Sequence, residues 1–98
     1  MGLDYTDRGA LEKIIEHGIE KIPELLPFFR DSQTKSRFQI TNSEEFCYGH
    51  IQGRIFTEFA SYYVTTHGRI LSDDEIKEFG EILEKRSRDI KTAIFNCG

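Results

Sequence analysis

Residues 46–63 read FCYGHIQGRIFTEFASYY, and the way this stretch is folded decides the architecture of the chain. It holds six Phe and Tyr rings and two glycines within a pattern of helical period. A glycine inside a helix costs about 1 kcal/mol relative to alanine. Gly49 and Gly53 are four residues apart and so share one face, the spacing that lets two helix backbones approach closely. The expectation is therefore a helix that packs tightly against others along a glycine edge.

Working outward, Thr41 with Glu44 and Asn42 with Glu45 are both possible capping boxes, and Gly68 supplies a left-handed stop. The rod between them spans roughly 24 residues, about 36 Å at the usual rise. On a helical wheel Thr57, His50, Ser61, Arg54 and Glu58 form one polar stripe. One edge of the apolar arc carries Phe46, Gly49, Gly53, Phe56, Ala60 and Val64; the other carries Tyr48, Ile51, Ile55, Phe59 and Tyr62. An arc this wide calls for several neighbours, so the rod is expected to be central and wrapped on most of its circumference. It also has more apolar surface than two neighbours easily cover. A homodimer follows as an expectation, with the glycine edge as its seam. If Gly49 and Gly53 both look into bulk water, the proposed assembly and the function inferred from it both fall.

The C-terminal segment is the clearest helix. Ser72 and Glu75 make a capping box, Leu71 can staple onto Ile76, and the helix starts at Asp73. Ile76, Gly80, Leu83, Ser87, Ile90 and Ile94 step by fours and threes, flanked by Phe79, Ile82 and Ala93. The pairs Lys77, Glu81, Lys85 and Glu84, Arg88 read as a solvated opposite face. At the N-terminal end Leu11, Ile14, Ile15, Gly18, Ile22, Leu25, Leu26 and Phe29 keep helical phase, but Pro23 and Pro27 interrupt the run. The expected result is a helix from Tyr5 or Asp7 to Lys21, capped by Asp4 or Thr6, and a second short one opening at Pro23. Residues 31–42 are mostly polar and read as a loop with a possible extended pair.

These patterns define an all-α fold: a small antiparallel bundle with a kinked or broken first helix, a long central helix and an amphipathic C-terminal helix. The 98 residues form one domain, residues 1–98, with no linker-like stretch. The apolar share of 38%, against 31% charged, suits a soluble globular chain, and no apolar run is long enough for a membrane span. No secretory signal is visible, so a cytoplasmic setting is the default. Gly2 and Thr6 match the loose myristoylation pattern, without a polybasic second anchor. Cys47 and Cys97 make no disulfide framework and read as free thiols.

Function classes can be tested against the same residues. With three histidines, Glu-x-x-His, His-Glu-x-x-His, Cys-x-x-Cys, a phosphate-cradling glycine loop and an EF-hand loop are all missing. Cys47 and His50 sit one helical turn apart, yet structural zinc needs four ligands. No metal site and no cofactor are expected. His50, Arg54 and Glu58, spaced by fours, are the one constellation suited to proton handling. A small enzyme with a site at the dimer interface would use them, given a lined pocket and a perturbed imidazole. A net charge of −4 argues against coating nucleic acid or anionic membrane. The carboxylates of SDDE would also repel phosphate from a recognition helix. Arg30, Lys35 and Arg37, with Phe38 as a stacking ring, still form a small candidate patch for a nucleic-acid-associated regulator. The favoured expectation is a non-enzymatic protein–protein interaction or scaffolding module, a homodimer with a protein partner and no membrane role.

Overall fold

A computed structural model describes residues 2–97. It contains five helices: α1 Tyr5–Glu20, α2 Ile22–Arg30, α3 Ser32–Phe38, α4 Ser43–His67 and α5 Asp73–Phe95. The all-α class is as read from sequence. Among the described residues no helix is long and apolar enough to cross a membrane.

The helix boundaries follow their caps. Asp4 accepts from the Asp7 N–H and completes a capping box for α1. Asn42 accepts from Glu45 at the start of α4, and Ser72 with Glu75 opens α5 with a full capping box. Gly68, at φ +71°, ends α4 in the left-handed region where glycine carries no Cβ penalty. The first apolar run is broken between Glu20 and Ile22, just ahead of Pro23, and Pro27 lies inside α2.

Residues 31–42 are not a loop with an extended pair. They contain α3, a helix with no apolar period. Asp31 caps it by accepting from the Thr34 N–H at 3.1 Å and the Thr34 hydroxyl at 3.3 Å, and Thr34 is buried. Gln39, at φ 56°, then closes it in the left-handed region.

The core is built along α4. Cys47, Ile51, Ile55, Phe59 and Tyr63 are all buried, each four residues after the last. Leu11 and Ile15 of α1, Ile22, Leu26 and Phe29 of α2, and Phe79, Ile90 and Ile94 of α5 close around them. Different helices meet successive points of the line. Ser43 donates to the Phe29 carbonyl at 2.9 Å, Gly18 lies against Ile51 and Ile55, and Tyr63 bonds to Glu75. Ion pairs tie α5 to α1: Arg86 with Glu12 and Glu16, and Arg8 with Glu78 at 2.6 Å. Lys77, Glu81, Glu84, Lys85 and Arg88 are exposed, as a solvated face requires.

The 25-residue rod makes the molecule long, 45 × 25 × 18 Å. Its radius of gyration of 14.8 Å exceeds the roughly 12.6 Å of a compact chain of this length. So slender a body does not wrap α4 on most of its circumference, and here the sequence reading is corrected. Gly49 and Gly53 are exposed, and a methyl group on either would meet nothing within 4 Å. The close approach inside the chain is made by Gly18 of α1, whose added Cβ would lie 3.2 Å from the Ile55 side chain.

Because Gly49 faces open space within the chain, Gly49→Ala gains helix propensity with no clash and stabilises the dilute protein by up to about 1 kcal/mol, raising Tm by several degrees. Gly18→Ala carries the same propensity gain against compression of Ile55, and its Tm falls short of that of Gly49→Ala. Thermal melts of the two variants, read by circular dichroism, check the ordering; equal stabilisation would contradict the packing.

Candidate functional site

The outer side of α4 is where the residues singled out from sequence gather. Phe46 and Phe56 are each 41% exposed and Val64 45%, along the line that also holds Gly49, Gly53 and the half-buried Ala60. The two rings are steadied from behind: Phe46 stands edge-on to Phe29 at 4.9 Å between centroids, and Phe56 to Phe79 at 5.3 Å. They are held in place with one flank open.

His50, Arg54 and Glu58 do lie together, lining a shallow groove with Gly53 and Thr57. Arg54 pairs with Glu58 at 3.6 Å. His17, read from sequence as facing water, is largely exposed yet comes within 3.8 Å of the same carboxylate from α1. Burial, then the Arg54 charge, holds the His50 imidazole below its usual range, and its ring stands 5.2 Å from Phe29. The cysteine nucleophile is not delivered to this groove. Cys47 is fully buried on the core side of α4, and burial pushes its thiol up, so its reactive thiolate form is disfavoured. The groove has the residue types for proton transfer, while Glu58 is already paired with Arg54 and faced by His17.

The basic residues read from sequence are partly engaged within the chain. Arg30 turns to Glu44 on α4, with N–O distances of 2.9 and 2.8 Å, and to the Cys97 carbonyl at 3.2 Å. Glu44 is held below the usual carboxylate range chiefly by that hydrogen bond. Lys35 is half-buried on α3, and Arg37 and Phe38 are exposed. Lys35 also acts on the Glu44 carboxylate through its charge, so Arg30 and Lys35 are partly neutralised by one acid.

What sequence reasoning missed is a polar clamp where the end of α4 meets the starts of α1 and α5. Asp7 is buried, and its Oδ1 accepts from the Tyr62 hydroxyl at 3.0 Å and faces His67 Nε2 at 2.9 Å. Burial pushes the Asp7 carboxyl up, but the bonds to His67 and Tyr62, with the Asp4 backbone, outweigh it and leave it lowered. Beside it, buried Glu75 accepts from the Tyr63 hydroxyl, from Arg69 at 2.9 and 3.0 Å, and from the Ser72 N–H at 2.7 Å. Arg69 holds it far below the usual carboxylate range. The capping-box signal located Glu75; nothing local in the sequence signalled its contact with Tyr63.

Asp4, Asp7 and His67 also bring ligand-type atoms within 4.8 Å of one another, the one such group among the described residues. Each carboxylate is already engaged in the α1 cap, with Asp4 accepting from the Asp7 N–H at 2.7 Å. The arrangement is explained as a helix clamp.

Compared with protein-family models, curated proteins and solved structures, the chain matched none of them. Its chemistry is read from the residues alone.

The clamp has a pH signature. Burial, and then the bond to the Glu75 carboxylate, pushes the Tyr63 hydroxyl up to about 12, whereas an unfolded tyrosine ionises near 10. Above about 10 the unfolded chain releases this proton first, so the contribution of Tyr63 is intact below about 10 and lost as pH rises through about 12. Urea unfolding from pH 8 upward should show a steeper alkaline fall for the native chain than for Tyr63→Phe. Parallel curves would contradict the assignment.

Proposed function

We propose that the chain is a non-enzymatic interaction module whose working surface is the outer side of α4, and that the surface receives a helix of another protein chain. One observation carries this reading. Phe46, Phe56 and Val64 remain open to solvent in one line, although each is a residue that folding would otherwise bury. Single exposed apolar side chains are ordinary on any surface, but a line along one rod is the geometry of helix recognition. The strip is one helix wide, and gaps at Gly49 and Gly53 allow a partner backbone to come near.

The exposure of those glycines withdraws them as evidence for packing inside the chain. With it goes the assembly that the sequence reading built on them, and the module reading proposed here rests on the exposed aromatic and aliphatic side chains instead. Charge separation at His50, Arg54 and Glu58 is internally balanced, which fits a polar rim better than a reaction centre. Two free thiols, one buried, suit the reducing interior expected from the sequence.

Photo-crosslinking separates this reading from the nucleic-acid alternative. A benzoylphenylalanine in place of Phe56, irradiated in cell extract, should yield protein adducts, and the same group in place of Arg37 should not. Nucleic-acid adducts from position 37, weakening steeply with salt, would move the function to α3. Absence of adducts from position 56 would remove the proposal.

A further inference from the structure

We propose that Cys97 is an oxidant-modification site whose product is a reversible disulfide to Cys47, stapling the chain just past α5 to the first turns of α4. Three observations bring the two free thiols together. Cys97 lies two residues beyond α5 and packs, half-buried, against the apolar core to which Cys47 belongs. The Arg30 guanidinium spans the same place, donating to the Cys97 carbonyl at 3.2 Å and to the Glu44 carboxylate at 2.9 Å. Glu44 stands three residues before Cys47, one turn away on the same side of α4. Burial, and then the charge of Cys97, pushes the Cys47 thiol up, ahead of any effect of Arg30 or Glu44. Coulombic influence falls with distance, so Cys97 is a close neighbour of Cys47.

The two thiols take different parts in the reaction. Cys97 is the one open to solvent and Cys47 is fully buried, so hydrogen peroxide meets Cys97 first. The Cys97 thiolate attacks one peroxide oxygen and the O–O bond breaks. Cys97 becomes a sulfenic acid, and the other oxygen leaves as water with the thiol proton. The Cys47 sulfur then attacks the Cys97 sulfur; the S–S bond forms, the S–O bond breaks, and the sulfenic oxygen leaves as a second water with the Cys47 proton. Two thiols lose two electrons, and one peroxide is reduced to two waters. Cys97 is the side that moves. Its N–H reaches the Ile94 carbonyl at 3.3 Å and its own carbonyl is held by Arg30 at 3.2 Å, both at the long end of the hydrogen-bond range, whereas Cys47 is fixed inside the 25-residue α4. Closing the bond brings the two Cα atoms to the roughly 4.4–6.8 Å that a disulfide requires, without unwinding α4.

The test treats the full chain, reduced and dilute, with hydrogen peroxide, quenches with N-ethylmaleimide and maps the peptides by mass spectrometry. A peptide joining Cys47 to Cys97 should replace the two alkylated thiols, in a protein that runs as one chain on a non-reducing gel and regains both thiols in dithiothreitol. The closed form should melt several degrees above the reduced one, because a bond that the native fold favours stabilises that fold in return. Cys47→Ala removes the second thiol and should hold the Cys97 sulfenic acid for capture by dimedone. In Cys97→Ser the buried Cys47 should resist both peroxide and maleimide until the chain is unfolded. The proposal is overturned if both thiols are still alkylated after peroxide, if Cys97 passes to sulfinic acid with Cys47 untouched, if disulfides form only between chains, or if the closed form melts no higher than the reduced one. None of these outcomes bears on the outer side of α4, so the module reading is judged separately.

Discussion

Everything in this molecule is arranged around one line of contact, the buried side chains Cys47, Ile51, Ile55, Phe59 and Tyr63 on α4. Residues repeated every four advance about 40° per step around a helix of 3.6 residues per turn. The line therefore winds round the rod as it climbs, and no single straight neighbour follows it from end to end. Its lower part lies against α2, its middle against α1 through Gly18, and its upper end against α5. The break ahead of Pro23 turns α1 and α2 to cover different parts of it.

The winding also explains why one side of α4 is left open. Three neighbours spread along 25 residues cover a spiral, and the strip from Phe46 past Gly53 to Val64 is left partly open, with Phe29 and Phe79 behind its rings. The upper end of the line is the polar one. There Tyr62 and Tyr63 carry their hydroxyls to Asp7 and Glu75, so two helix starts are fastened to one helix end by buried, fully partnered carboxylates. Such groups are costly to bury unless bonded, which makes the clamp strict about geometry. The apolar line places the helices, and the clamp fixes which ends meet.

Much of this was legible from sequence. The caps at Asn42 and Ser72, the stop at Gly68 and the break ahead of Pro23 are local signals, and each falls where the chain puts its boundary. Ile51, Ile55 and Phe59 were recognisable as one packing edge. The rest fails for identifiable reasons. α3 has no apolar period to read; it exists because Asp31 caps it and Thr34 is tucked inward. A wheel discards height along the rod, so it cannot show that the buried face shifts round α4 from one end to the other; it set Cys47 at the border of the polar stripe and gave the glycine edge a neighbour it lacks. Of the site residues, His50, Arg54 and Glu58 were brought together as their spacing implied, but His17 joined them from another helix. Arg30 is engaged by Glu44, a contact between segments that no local pattern announces.

The most direct test of the account is native-state hydrogen exchange along α4, measured residue by residue with increasing denaturant. If the winding line is the spine of the fold, the amides of Ile51 to Tyr63 exchange only with global unfolding, and those of α1, α2 and α5 open no later than they do. A state in which α4 exchanges freely while α1 and α5 remain protected would show that the molecule is held together elsewhere.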